Sequence, residues 1–207
     1  MTQRRDGALT GTLTGTPALV TGASSGIGEA TALALAAEGA AVALVARRRD
    51  RLEALAKQIE SDGGKALVLE ADVTQEPQAR EAVERTVAEL GRLDTLVNNA
   101  GVMLLGPMEH APVEEWQRMV EINVLGLMYC AHAALPHLLE AAEDGERRVA
   151  DMVNVSSVAG RAARANSGVY NATKFGVGAF SEALRQEVTQ RHGASRWSSR
   201  VPSRPSS

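Results

Sequence analysis

The run Ala18-Leu19-Val20-Thr21-Gly22-Ala23-Ser24-Ser25-Gly26-Ile27-Gly28 decides the fold of this chain. Three apolar residues make a short buried strand, and a glycine-rich turn stops it. A run of small residues from about Gly26 to Glu38 then reads as a helix ended by Gly39. A strand that runs through such a turn into a helix opens a βαβ unit suited to a phosphate. Gly22 permits the tight turn, Gly26 lets the backbone approach a pyrophosphate, and Gly28 lets the helix pack on the sheet. Free N–H groups at the helix start face the anion. Ser24, Ser25 and Ile27 fill the positions between the glycines and belong to the same expected cradle. A glycine-rich turn alone is as often an ordinary tight turn; its place between strand and helix gives it weight.

Outward from this unit, the pattern repeats. Ala41 to Val45 is a second strand, and Leu52, Leu55, Ala56 and Ile59 form the i, i+3, i+4, i+7 stripe of a helix closed by Gly63-Gly64. Ala66 to Leu69 is a third strand. Val83, Val87 and Leu90 mark a helix closed by Gly91, and Leu96-Val97 leads into Asn98 as a fourth strand. A long helix is expected from about Pro112 to Leu139, a fifth strand from about Val149 to Val155, and a last helix around Tyr170. Strands apolar on both faces, separated by helices, imply right-handed crossovers and a parallel sheet covered on both sides. The expected fold class is α/β, a Rossmann-type doubly wound parallel sheet in one domain over residues 1–192. Residues 193–207 are basic, serine-rich and without periodicity, and are expected to be disordered.

The 207 residues are one domain's worth of chain. A formal charge of −3 argues against nucleic-acid or anionic-membrane partners, which need a basic surface. The single cysteine, Cys130, rules out an internal disulfide, fits a reducing cytoplasm and sits in an apolar helical stretch as a packing residue. No apolar run approaches the ~20 residues that span a bilayer, and Met1 to Asp6 has no hydrophobic region behind its charges. His110, His132, His137 and His192 lack metal-ligand spacing, so no metal is expected.

At the end of the second strand an NAD site would carry an acid for the ribose 2′-hydroxyl. This chain has Arg47-Arg48-Arg49 instead, and Asp50 is the first acid. Arginine favours a 2′-phosphate through charge-assisted bonds, so NADP(H) is expected rather than NAD, with Arg47 the leading selector and Arg48 beside it. Further on, Tyr170 and Lys174 stand at i, i+4 on one helical face. Hydride transfer to a carbonyl builds negative charge on oxygen, and a phenol can protonate it. Tyr170 is the candidate acid and Ser157 the carbonyl anchor; Ser156 is an alternative, though the spacing to Tyr170 favours Ser157. An ammonium at Lys174 favours the phenolate. Asn123 lies mid-helix, where asparagine competes with its own backbone, and this sets it apart.

Thr21 to Gly28, Asn98-Asn99-Ala100-Gly101, Asn123, Ser157 and Tyr170-Asn171-Ala172-Thr173-Lys174 share the order and spacing of the short-chain dehydrogenases/reductases. The chain resembles that family over about residues 15 to 192. Val42 to Arg51, Met103-Leu104-Leu105-Gly106-Pro107 and Tyr170 to Val177 are most similar to NADP-linked clavulanate-type aldehyde and 3-hydroxy-acid dehydrogenases. The resemblance implies an oxidoreductase acting on a small carbonyl or alcohol. It implies that Asp72, followed by Val73, bonds the adenine amine, and that Asn99, Ala100 and Gly101 border the cofactor. It implies that Lys174 binds the nicotinamide ribose and that Asn123 holds a water linking Lys174 to solvent. It also implies homodimers or homotetramers through the helices near 112–139 and 170–190.

Family members continue into a sixth strand and a Pro-Gly turn, which this sequence lacks. Back-translating Ser195 to Ser203 with GC-rich codons and shifting the frame gives Ser-Val-Val-Glu-Pro-Gly-Ala-Val. One base lost near the Gly193 codon would produce the observed tail. The expectation is therefore a truncated chain with an exposed fifth strand; the alternatives to an active oxidoreductase are a catalytically inactive truncated product of a frameshifted gene, or a nucleotide-sensing binding protein on the same fold.

Overall fold

The structure is a computed structural model that describes residues 3–5, 8–144, 147–192 and 197–200. Strands β1 (Gln3–Arg5) and β2 (Ala8–Thr10) pair as a small antiparallel hairpin apart from the main sheet. The main sheet contains β3 (Pro17–Thr21), β4 (Ala41–Ala46), β5 (Lys65–Glu70), β6 (Thr95–Asn98), β7 (Ala150–Asn154) and β8 (Trp197–Arg200). Its order is β5-β4-β3-β6-β7-β8, and every neighbouring pair is parallel. The order reverses between β3 and β6. Ligands of such sheets bind outside the carboxyl ends of the strands at that reversal, which here means beyond Thr21 and Asn98.

Successive strand residues serve two cores. Leu19, Ala43 and Val45 pack with α3 (Glu76–Leu90) and α5 (Leu127–Asp144) on one face. Val20, Val42 and Leu44 pack with α1 (Gly26–Ala37) and α2 (Arg49–Ser61) on the other. This is the period-2 alternation of a strand buried on both faces. The α2 stripe is as expected: Leu52, Leu55, Ala56 and Ile59 are its buried residues. In α1, Gly28, Ala32 and Ala36 lie inward at i, i+4, i+8, so the helix comes close to the sheet.

The long helix runs Val113–Asp144 and is long and apolar enough, by length and composition, to cross a membrane. Reading the sequence by unbroken apolar runs missed this, because isolated charges interrupt it. Cys130, Ala131, Ala134 and Leu138 are buried in the core against the sheet, which accounts for the apolar character. The helix has three parts: α4 (Val113–Val120), a π-helical turn over Glu121–Gly126, and α5. The last helix, α6, spans Gly168–His192.

The tail departs from expectation. Trp197–Arg200 forms β8 and pairs with β7 from Ala150↔Trp197 to Val153↔Arg200, so β7 is not an edge strand. Ladder bonds come from the main chain, so a segment without apolar alternation still pairs with an open strand. The rest of 193–207 lies outside the described residues.

Candidate active site

A cavity of about 480 Å³ opens at the reversal point, within the range of about 300–1,000 Å³ usual for small-molecule sites. Gly22, Ser24, Ser25 and Ile27 line it from the glycine-rich turn, Arg47 and Arg48 from the end of β4, and Asp72 and Val73 from the end of β5. Asn99, Ala100 and Gly101 follow β6, and Tyr170 and Lys174 reach in from α6. The sequence-selected residues therefore converge, with four exceptions: Gly26, Gly28, Asn123 and Ser157 are not in the lining.

Gly28 works by close approach. A Cβ there would stand 2.3 Å from the Gly22 carbonyl oxygen and 2.5 Å from Asn99 Nδ2, closer than real contacts allow. Gly22 adopts φ 66°, the left-handed region that glycine tolerates. Thr21 joins this turn to the turn after β6: its hydroxyl accepts from Asn99 N and Ala100 N, each at 3.0 Å. Asn99 Nδ2 returns the link by donating to Thr21 O at 3.0 Å. Helix α1 starts at Ser25 with no side-chain cap. Its first N–H groups are therefore left to an anion, and the turn fits a dinucleotide pyrophosphate.

The two arginines divide. Arg48 Nη2 donates to Ser25 Oγ at 2.8 Å and to Ser24 Oγ at 3.0 Å, placing its guanidinium on the glycine-rich turn. Arg47 instead leans towards Asp72, with Nη1 3.7 Å from Oδ2. Asp72 Oδ1 accepts from Thr74 N at 3.1 Å and Thr74 Oγ1 at 2.8 Å, so this carboxylate also fixes its own loop.

On the other side, Lys174 is buried, and Nζ donates to Val155 O at 2.9 Å. It stands 6.0 Å from the Tyr170 ring centroid. Burial lowers its pKa from the ordinary lysine value. Ser156 lines the cavity and donates to Lys174 O at 3.2 Å, pinning the strand end to α6. Ser157 caps the one-turn helix Val158–Gly160, and its Oγ accepts from Ala159 N at 3.1 Å. That leaves the Ser157 O–H proton to donate.

Asn123 stands in the π-helical turn. Its Oδ1 accepts from Val102 N at 2.7 Å, and Nδ2 donates to Val102 O at 2.8 Å and Thr173 Oγ1 at 3.2 Å. The amide is thus a clamp between the loop after β6 and α6. Gly101 is where the catalytic candidates meet: a Cβ on it would lie 3.2 Å from Asn123 Oδ1 and 3.8 Å from Lys174 Nζ.

Sequence reasoning missed a buried chain beneath these groups. Asn98 and Asn154 are register partners on β6 and β7, and Asn98 Nδ2 donates to Asn154 Oδ1 at 3.0 Å. Asn154 Nδ2 donates to Ser181 Oγ at 2.9 Å, and Ser181 donates to Val177 O at 2.7 Å. Two asparagines ending neighbouring apolar strands were the available signal. Among the described residues no cluster of three His, Cys, Asp or Glu side chains could hold a metal ion.

The short chain dehydrogenase family profile matches residues 16–193. The chain is similar to the glycine betaine reductase of Emericella nidulans, with 43% identity over 178 residues. This is 86% of this chain and 14% of that protein, so the chain spans one part of a much longer relative. It is also similar to the crystal structure of 3-ketoacyl-(acyl-carrier-protein) reductase from Brucella melitensis complexed with NADH. There the TM-score is 0.80 at 35% identity, covering 86% of this chain and 72% of that one. An alcohol dehydrogenase from the archaeon Thermococcus sibiricus complexed with 5-hydroxy-NADP gives a TM-score of 0.80 at 29% identity, covering 89% and 74%. Fold, converging site and sequence match agree: the chain belongs to the short-chain dehydrogenase family.

Proposed function

We propose that this site interconverts a small carbonyl compound and its alcohol with NADP(H). The observation that carries the reading is that Tyr170 and Lys174 line the same cavity as the glycine-rich turn and Arg48. The cofactor would be held at its pyrophosphate by the turn and the start of α1, at a 2′-phosphate by Arg48 with Ser24 and Ser25, and at adenine by Asp72 and Val73. Lys174 would hold the nicotinamide ribose. When bound, the cofactor supplies or accepts the hydride. Solved relatives hold either NADH or an NADP analogue, and the guanidinium on Ser24 and Ser25 favours the phosphorylated form.

The chain's own groups handle the proton. Ser157, accepting from Ala159 N, keeps its O–H for the carbonyl oxygen and polarises it. Tyr170 delivers the proton to that oxygen, or removes it from the alcohol. Lys174 supports the phenolate and is held in place by Val155 O. Asn123 acts by holding the Val102 segment and α6 together beside Lys174. Exposed Val113, Val120 and Phe175 on α4 and α6 give copies of the chain apolar faces for pairing.

The test compares parent and Tyr170→Phe for NADPH binding and for reduction of a carbonyl panel. General acid catalysis contributes about 10²–10⁴-fold, so turnover should fall by that factor while NADPH affinity holds. Equal turnover in the two proteins removes the mechanism. NADPH binding with no turnover in the parent gives the nucleotide-sensing reading its place.

A further inference from the structure

The loop after β6 reads Val102-Met103-Leu104-Leu105-Gly106-Pro107-Met108, seven residues without a polar side chain. A surface loop of this composition is unusual, because each large apolar side chain left in water forgoes the free energy of its burial. Yet Met103 is 58% exposed, Leu105 55% and Met108 57%; Val158, next to Ser157, is 60% exposed. Contiguous exposed apolar surface of this kind marks a site of contact.

The loop is anchored, and it is anchored at the catalytic centre. Met103 lines the same cavity as Tyr170. Met108 Sδ lies 2.9 Å from where a Cβ on Gly168 would stand, two residues before Tyr170. Gly106 N donates to Asn166 O at 2.9 Å, tying the loop to the start of α6. Polar groups opposite are already engaged: Asn171 Nδ2 donates to Ala159 O at 2.7 Å and Ala162 O at 3.1 Å. Met103 thus brings an apolar side chain to the cavity beside Tyr170, and Met108 packs at the start of α6; both are flexible enough to adapt to varied shapes.

We infer that the substrate is a lipophilic carbonyl compound or its alcohol, with its apolar body across Met103, Leu105, Met108 and Val158 and its oxygen at Tyr170. This rests on the redox reading above. In reduction the carbonyl carbon takes up a hydride from the reduced nicotinamide cofactor, and the oxygen takes up the Tyr170 proton. The competing class is a short carbonyl bearing a carboxylate, for which Arg118 in the cavity lining and the exposed Arg161 and Arg164 on the loop before α6 are the available partners.

The experiment titrates the full chain, saturated with NADPH, with butanamide, hexanamide and octanamide as unreactive carbonyl analogues, and with oxamate as the charged comparator. Calorimetry gives the affinities. Burial of each methylene should tighten binding about fourfold. Met103→Gln with Val158→Gln should flatten that slope; both side chains are more than half exposed, and an unchanged melting temperature certifies the fold. Should the double variant melt early, Leu105→Gln alone provides the same comparison. A flat series in the parent, or oxamate bound more tightly than butanamide, overturns the inference. Turnover separates the two readings. A steep amide series without reduction of the matching aldehydes supports the apolar face and sinks the redox reading. Rapid reduction of short charged carbonyls with a flat series does the opposite.

Discussion

The two halves of the sheet are held together by different physics. In the nucleotide half, β3 and β4 are wholly apolar along their buried centres, and the helices over them approach through small residues such as Gly28, Ala32 and Ala36. Bulk and close backbone approach decide the geometry there. In the catalytic half, β6 and β7 end in Asn98 and Asn154, and a line of buried hydrogen bonds runs on to Ser181 and Val177 on α6. Apolar packing tolerates small slips, whereas a buried polar chain is favourable in one arrangement and expensive in others. The half that carries Tyr170, the proposed proton donor, is the half with the stricter device. The half proposed to hold a nucleotide through backbone groups needs only the right turn.

That contrast can be broken at several points, and the largest effect should come from Gly28→Ala. The new methyl meets the Gly22 carbonyl at 2.3 Å, so main chain has to move. A cost of about 3 kcal/mol, the upper end for overpacking, corresponds to roughly a hundredfold loss of NADPH affinity. Amide exchange at β6 and β7 should stay parental. Loss of protection there would show that the halves are not separately built.

Next comes Asn154→Ala, which leaves Asn98 Nδ2 only the longer bond to Leu127 O at 3.4 Å and Ser181 without its donor. Leaving such groups unsatisfied costs about 1–3 kcal/mol, measurable by urea denaturation. Turnover should fall more than NADPH affinity. The reverse order would undo the assignment of this chain to the catalytic half.

Arg48→Ala should reduce the preference for NADPH over NADH by roughly 10–100-fold, the equivalent of a charged hydrogen bond of about 1.5–3 kcal/mol. Arg47→Ala should do far less, because its 3.7 Å contact with Asp72 is a solvent-exposed ion pair. Equal losses in the two variants would return Arg47 to the lead.

A smaller effect concerns pH. Burial holds Lys174 below its ordinary pKa of 10.5 in the folded chain. Between the two values the unfolded chain binds the extra proton, so stability rises with pH across that window. Lys174→Met should remove this rise from apo-protein melting curves; an unchanged slope would show that the ammonium is not buried at a cost. The least change is expected at Cys130, whose thiol is buried in the core and pushed up to about 12. Native protein should not react with a thiol reagent at pH 8, and unfolded protein should.

Most of the main sheet could be read from the chain because β3 to β7 were short, largely apolar runs with glycine or asparagine beside them. The converging site was readable for a related reason: its residues sit at strand ends and helix starts, where short motifs map onto fixed geometry. Several features escaped, among them the β1–β2 hairpin and the π-helical turn. Arg48 rather than Arg47 reaches the serines, because side-chain direction depends on where β4 ends and the next turn begins. The Asn98–Asn154 pair needs the register between strands 56 positions apart in sequence. And β8 pairs through main-chain groups, on which side-chain patterns are silent.

The π-helical turn at Glu121–Gly126 has a consequence for protein engineering. Such a turn behaves as one residue too many in an otherwise regular helix. Deleting a single residue there is the obvious repair, and it would let Val113–Asp144 close into one uninterrupted ladder. The same deletion would rotate everything on its N-terminal side by about 100°, carrying Asn123 off Val102 or Met119 out of the interior. Selection of this chain for heat resistance alone should therefore favour shortened helices, and every such survivor should be a sturdier protein with a dismantled active site.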